Sequence, residues 1–188
     1  MATLIRGARS LTVITQKQWQ NVLIQWYGIK EPPYHFGISG AKVTHIWTDD
    51  PQDAIHVAKA ANIPHVVKHP EDVIGVVDAI IIPTGEDQLL RCKPFVEADI
   101  PVFLDKPLTD DVAELKQFVQ WKQEGKLLLS SSCMRYSKEF MPYRNSTSNL
   151  GNLRFASVTT PKSWERYGIH ALEAIYPIVG PGFISVRN

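Results

Sequence analysis

Long apolar runs are absent from this 188-residue chain. No stretch approaches the ~20 apolar residues that a membrane-spanning helix needs, so no membrane partner is expected. Cysteine is scarce. Cys92 and Cys133 are the only two, far apart and without a CxxC neighbour. That argues against a disulfide framework or a zinc site and reads as two thiols in a reducing cytoplasm, with no metal. An excess of one charge is missing too: 20 Lys and Arg stand against 19 Asp and Glu, a net +1. There is no broad basic field to attract nucleic acid. Acids are lacking before Glu31, while Arg6, Arg9, Lys17 and Lys30 precede it. This is faintly like a transit peptide but has no secretory apolar core. What remains is 44% hydrophobic and 21% charged residues, the balance of a soluble globular protein.

From Ala41 onward the punctuation is regular. "AKVTHIWTDD" reads as a strand ending in acids, and Asp50 can cap a helix that starts at Pro51. Ala54, Ile55, Val57, Ala58 and Ala61 give that helix an apolar face. "IPHVV" is a short strand, and "HPEDVIG" a short helix with acids in its first turn. "VVDAIIIPT" has the unbroken apolar character of a strand buried on both faces of a parallel sheet. A helix from Glu86 to Ala98, interrupted by Pro94, precedes the strand "IPVFLD". Thr109 is expected to cap the next helix, with Asp110 and Asp111 in its first turn. Val112, Leu115, Phe118 and Val119 form its stripe, and Gly125 closes it. "KLLLSSSCM" is one more strand.

Strands alternating with helices imply right-handed crossovers and a parallel sheet. In such sheets ligands bind beyond the carboxyl ends of the strands. Asp49, Thr84, the pair Asp105-Lys106 and Arg135 all fall at expected strand exits and should converge on one edge. Past Met134 the rhythm changes. "RYSKEFMPYR" reads as a connecting helix, "GNLRFASVTT" as a strand, and "WERYGIHALEAIY" as a helix with Ile169, Leu172, Ile175 and Tyr176 on one face. A strand and a helix cannot bury their own apolar faces. The exposed edge therefore predicts poor solubility or a partner, a homo-oligomer among the candidates. The first forty residues fit least well. "SLTVIT" could be a first strand and "QKQWQNVLIQWYGI" a helix, but the G-x-G-x-x-G expected between them is missing.

With these residues laid out, the chain resembles the Gfo/Idh/MocA family of NAD(P)-dependent oxidoreductases. "DKP" resembles that family's E-K-P, which puts its lysine, beside nicotinamide and substrate, at Lys106. "SSSCMRYSKEF" resembles the segment with an R-Y pair after the sixth strand, here Arg135-Tyr136. "YGIHALEAI" resembles the helix whose histidine acts at the substrate, here His170. "IIPTGED" resembles the cofactor-passing loop after strand four, with Thr84 at its threonine and Gln88 where a histidine is expected. Arg166 replaces the aspartate of the histidine motif. The fold implied is α/β, a Rossmann-like doubly wound parallel sheet followed by the start of a second α/β domain. Residues 1–40 read as a divergent segment, 41–134 as the dinucleotide-binding domain, and 135–188 as the connection and truncated start of a substrate domain.

The resemblance implies hydride transfer between NAD and a hydroxyl or keto carbon of a sugar-like or cyclitol-like small molecule. The alternative is an inactive nucleotide-binding or oligomerising module that keeps the scaffold. A lysine can move the hydroxyl proton where burial and a nearby positive charge favour its neutral form. Lys106 is either that group or a solvated residue opening a turn; Asp105 either anchors it or lines the cofactor. His170 is either the imidazole at the substrate or a histidine on a helix flank. Asp49 is either the acceptor for the ribose hydroxyls, which disfavours NADP, or a partner in helix capping. Thr84 and Glu86 line the cofactor or form an ordinary turn. Arg135 and Tyr136 hold substrate, or Arg135 makes a structural ion pair. Trp164 and Tyr167 are expected to pack.

Overall fold

The computed structural model describes residues 11–15, 41–84 and 87–185, the first of these as strand backbone. The chain divides into two compact units, Met1–Ser130 and Ser131–Asn188. In the first, β1 (Leu11–Thr15), β2 (Val43–Thr48), β3 (His65–Val66), β4 (Ala79–Ile82), β5 (Val102–Leu104) and β6 (Leu128–Ser130) form one sheet. The spatial order is β3-β2-β1-β4-β5-β6, with every neighbouring pair parallel. The order reverses between β1 and β4. Right-handed crossovers therefore carry α1 (Pro51–Ala61) to one face, and α2 (Gln88–Glu97) and α3 (Val112–Gln123) to the other. The carboxyl ends of all six strands lie on one edge.

Local chemistry sets the elements. Asp50 caps α1, its carboxylate accepting the Gln52 N–H at 2.9 Å, with Pro51 at the first position. Ala54 and Ala58 are the buried face of α1, which packs on β2 and β3. On the other face the core comprises Val73, Ile80, Ile82, Phe95, Val96, Val102, Leu104, Phe118 and Trp121, together with Cys92. Phe118 and Trp121 meet edge to face with centroids 5.8 Å apart. Gly125, at φ +86°, takes the left-handed position that ends α3.

α3 differs from the sequence expectation in two ways. Its cap is Asp111, which accepts the Glu114 N–H at 2.8 Å. Thr109 instead stabilises the turn before it, accepting from the Asp111 N–H and donating to Glu114. Of the expected stripe, Phe118 alone is buried; Val112, Leu115 and Val119 are exposed. The inward side of the helix is set by the Phe118–Trp121 pair, and the expected stripe left Trp121 out.

In the second unit the expected connecting helix is replaced by three short 3₁₀ turns, Cys133–Tyr136, Met141–Arg144 and Ser148–Leu150. Ser137 leaves the helical region (ψ 128°) and ends the first of them. Residues 151–160 form no strand. The last helix, α4 (Trp164–Val179), buries Gly168, Ala171 and Ala174; of the expected face Ile169, Leu172 and Ile175 are half-buried and Tyr176 is exposed. Among the described residues no helix is long and apolar enough to cross a membrane.

Two outcomes follow from this packing. Phe95 is fully buried, so Phe95→Ala should cost about 3–5 kcal/mol, whereas Leu115→Ala on the exposed side of α3 should stay within about 0.5 kcal/mol; urea unfolding measures both. The second outcome concerns His45, which stacks on His65 across the β2–β3 pair at 4.7 Å. Burial, and secondarily the neighbouring His65, holds its pKa below the ordinary 6.5. The folded state therefore binds this proton more weakly than the unfolded chain. The penalty is absent at high pH and develops as pH falls through 6.5 towards the folded value. Between about pH 8 and pH 5.5 the urea midpoint should fall more for the wild type than for His45→Asn; equal falls would refute the assignment.

Candidate functional site

The carboxyl edge of the sheet gathers the residues that the sequence singled out in the first unit. Asp49 leaves β2, Thr84 follows β4, and Asp105 and Lys106 follow β5. Thr84 is buried at 2% exposure, while Asp105 and Lys106 are half-buried. Glu86 lies outside the described residues, as do the missing glycine fingerprint and the expected first helix.

The turn after β5 is held by its main chain. The Asp105 N–H donates to Ile82 O at 3.0 Å, extending the β4–β5 ladder past the last strand residue. Gln88, in the first turn of α2 and only 2% exposed, then aims its amide nitrogen at three carbonyl oxygens. These are Thr84 O at 2.6 Å, Asp105 O at 2.6 Å and Pro107 O at 3.1 Å. The Ser130 hydroxyl lies 3.4 Å from the same Asp105 carbonyl. The Lys106-Pro107 peptide is cis. One buried side chain thus ties the exit of β4 to the Asp-Lys-Pro turn.

One helical turn after Gln88, Arg91 serves the exit of β2. Its Nη1 and Nη2 donate to the two carboxylate oxygens of Asp49 at 3.2 and 3.0 Å. The guanidinium lies over the Trp47 ring at 5.9 Å, and the Trp47 indole N–H donates to Lys68 O. Asp49 keeps 46% of its side chain exposed against 15% for Arg91. The pair lines a groove of about 430 Å³ with Trp47, Glu71 and Leu90. A ribose diol needs a carboxylate with lone pairs turned to open space at the end of the second strand. Asp49, half open beside this groove, fits that requirement despite its pairing.

The second unit holds the other candidates. His170 stands on α4, half-buried, with Nδ1 2.6 Å from the Ser132 hydroxyl and the Tyr167 ring 5.7 Å away. Arg135 pairs through Nε with the Glu173 carboxylate, one turn beyond His170 on the same helix. That hydrogen bond holds the Arg135 guanidinium even more firmly protonated than usual. Tyr136 is exposed, with the Arg144 guanidinium 5.9 Å above its ring. Cys92 is fully buried and its thiol is pushed up to about 12 by burial, so it takes no part in chemistry near neutral pH. Sequence reading missed Gln88 as a brace, and missed Arg91, Ser132 and Glu173 altogether. Nothing in their spacing distinguishes them from surface polar residues.

An oxidoreductase family with an NAD-binding Rossmann fold matches residues 27–132. Among solved structures, an oxidoreductase from Thermotoga maritima superposes with a TM-score of 0.64 at 16% identity, over 91% of this chain and 60% of that one. A scyllo-inositol dehydrogenase from Lactobacillus casei, with bound NAD(H) and scyllo-inositol, gives 0.58 at 16% identity, over 76% and 41%. A myo-inositol 2-dehydrogenase from Lactobacillus plantarum gives 0.57 at 16% identity, over 74% and 41%. Identities this low establish likeness of fold. This chain spans about two fifths to three fifths of the length of those structures. No curated protein sequence matches it significantly.

The Gln88 brace can be removed with little change of volume. Gln88→Leu removes the amide that the three carbonyl oxygens share and should lower the unfolding free energy by about 1–3 kcal/mol. A loss below about 0.5 kcal/mol, the level of an ordinary surface substitution, would show that the turn does not depend on it.

Proposed function

This chain belongs to the Gfo/Idh/MocA family of oxidoreductases, and on that premise we propose that it carries out hydride transfer between NAD and a hydroxyl or keto carbon of a sugar-like or cyclitol-like small molecule. The observation that carries this reading is the carboxyl edge of the parallel sheet. There a half-open carboxylate, a buried threonine and a braced Asp-Lys-Pro turn stand at three strand exits. When bound, the nicotinamide would supply the hydride acceptor or donor.

The remaining chemistry belongs to the chain's own residues. Asp49 accepts the adenosine ribose hydroxyls, and Thr84 lines the cofactor beside Asp105. Lys106, carried on the turn that Gln88 fixes, accepts or returns the substrate hydroxyl proton. His170 places the substrate oxygen by hydrogen bonding, with Tyr136 flanking. Arg135 already has its charge met by Glu173, which supports an uncharged polyol over an anionic substrate. NAD is favoured because a carboxylate at the end of β2 repels a 2′-phosphate. Arg91 offsets part of that charge, so discrimination is expected to be weaker than for a lone Asp. The two free thiols, Cys92 and Cys133, support a reducing, cytoplasmic setting.

Titration with NADH, followed by the enhancement and blue shift of nicotinamide fluorescence, tests this reading. Saturable binding is expected, lost in Asp49→Ala, with NADPH weaker and the NADH preference widened in Arg91→Ala. Substrate screening with Lys106→Ala as the inactive control follows. No binding up to about 1 mM cofactor, the upper end of ordinary Michaelis constants, would overturn it.

A further inference from the structure

α3 is apolar on two sides. Phe118 and Trp121 are buried in the core, whereas Val112, Leu115 and Val119 are exposed. An α-helix turns about 100° per residue. On that spacing the three exposed residues fall within an arc of about 60°, centred roughly 120° from the buried pair. Their i, i+3, i+7 order makes them one continuous stripe. Single exposed apolar residues are ordinary, but a stripe along a rigid helix is a surface that a second helix covers.

The two ends of the stripe carry opposite charges. Asp111 caps the helix through Oδ1, and its side chain is exposed with Oδ2 outside that bond. Lys122 is exposed in the last turn. Both lie on the same flank of the stripe, about 20–40° from Leu115 and away from Val112 and Val119. About 16 Å of helix axis separates them. A two-fold axis that crosses the helix in the plane of contact runs a second copy antiparallel and sets like flank against like flank. Asp111 of each copy then faces Lys122 of the other, with Leu115 near the centre. On the other flank Lys116 nears its own copy, but it is long and exposed and extends to solvent. A parallel copy would set opposite flanks together and leave Asp111 and Lys122 unpaired.

We propose that α3 is a self-association surface, on which two copies of this chain pack antiparallel through Val112, Leu115 and Val119 in a register fixed by two Asp111–Lys122 pairs. The partner is a second copy because the charge pattern of the stripe is complementary to itself. One pair of 12-residue helices covers less than the roughly 1,200–2,000 Å² of a stable interface, so the dimer is weak and reversible. The exposed ion pairs set register more than affinity. The surface belongs to the first unit alone and is independent of cofactor binding.

Sedimentation velocity of the whole chain, from micromolar to near-millimolar concentration, should show a monomer–dimer equilibrium. Leu115→Lys, at an exposed position that leaves the monomer folded, should weaken it by at least about tenfold, since the new charge enters the contact from both copies. A zero-length carbodiimide, followed by peptide mass spectrometry, should join Asp111 to Lys122 in the dimer. Within one chain these groups are held about 16 Å apart by rigid helix, so the link reports a second copy. Asp111→Asn, which keeps a capping side chain, should abolish it. A chain that stays monomeric throughout overturns the proposal, even if another protein binds the stripe. So does a dimer that Leu115→Lys leaves intact, or one that carries no Asp111–Lys122 link. The wild-type link decides the matter even where a variant misfolds.

Discussion

Three main-chain carbonyl oxygens at the exits of β4 and β5 converge on the amide of Gln88, and the candidate site is organised by that convergence. A parallel sheet sends all its strand ends to one edge, where the chain must leave the ladder without stranding its carbonyls. At the exits of β4 and β5 the buried Gln88 side chain does this, with the Ser130 hydroxyl also directed at the Asp105 carbonyl. Lys106 is presented from this turn, so its placement is inherited from a glutamine that touches it only through the backbone of its neighbours.

Two of the charged candidates are each met by an opposite charge from a helix of their own unit. Asp49 is met by Arg91, and Arg135 by Glu173. An exposed pair of the first kind contributes no more than about 1 kcal/mol, so neither the sheet nor α2 depends on it. Its consequence is electrostatic, since it brings the exit of β2 close to neutrality while leaving an acceptor open. The second pair is different in kind. Glu173 is only 12% exposed, and an unpaired carboxylate there would be costly, so Arg135 is first a structural residue of α4.

The strand pattern was legible because buried parallel strands are written as nearly continuous apolar runs, as "AIII" at Ala79–Ile82 shows. Caps were legible where one acid precedes a proline, as at Asp50-Pro51. They misled where three candidates follow each other, and Thr109 yielded to Asp111 because the later residue reaches the Glu114 N–H. The stripe on α3 misled for a related reason: periodicity identifies an apolar face, and Val112, Leu115 and Val119 are apolar yet exposed. Strand exits were legible as positions for Asp49, Thr84, Asp105 and Lys106. Their partners were not, because Gln88, Arg91 and Glu173 act across long sequence separations that no local pattern encodes. The helix-like "RYSKEFMPYR" is broken into 3₁₀ turns, the first of them capped by Ser132 and ended at Ser137.

The contrast between the two cysteines has a practical consequence. Cys92 is shut inside the core with its thiolate suppressed, while Cys133 is exposed in the turn that Ser132 caps. A thiol-selective reagent applied to the folded chain at neutral pH meets one reactive sulfur. That sulfur is bonded into the residue next to the one that touches His170. A dye or spin label attached there would sit one residue from the partner of His170, turning an incidental thiol into a built-in reporter for whatever enters the second unit.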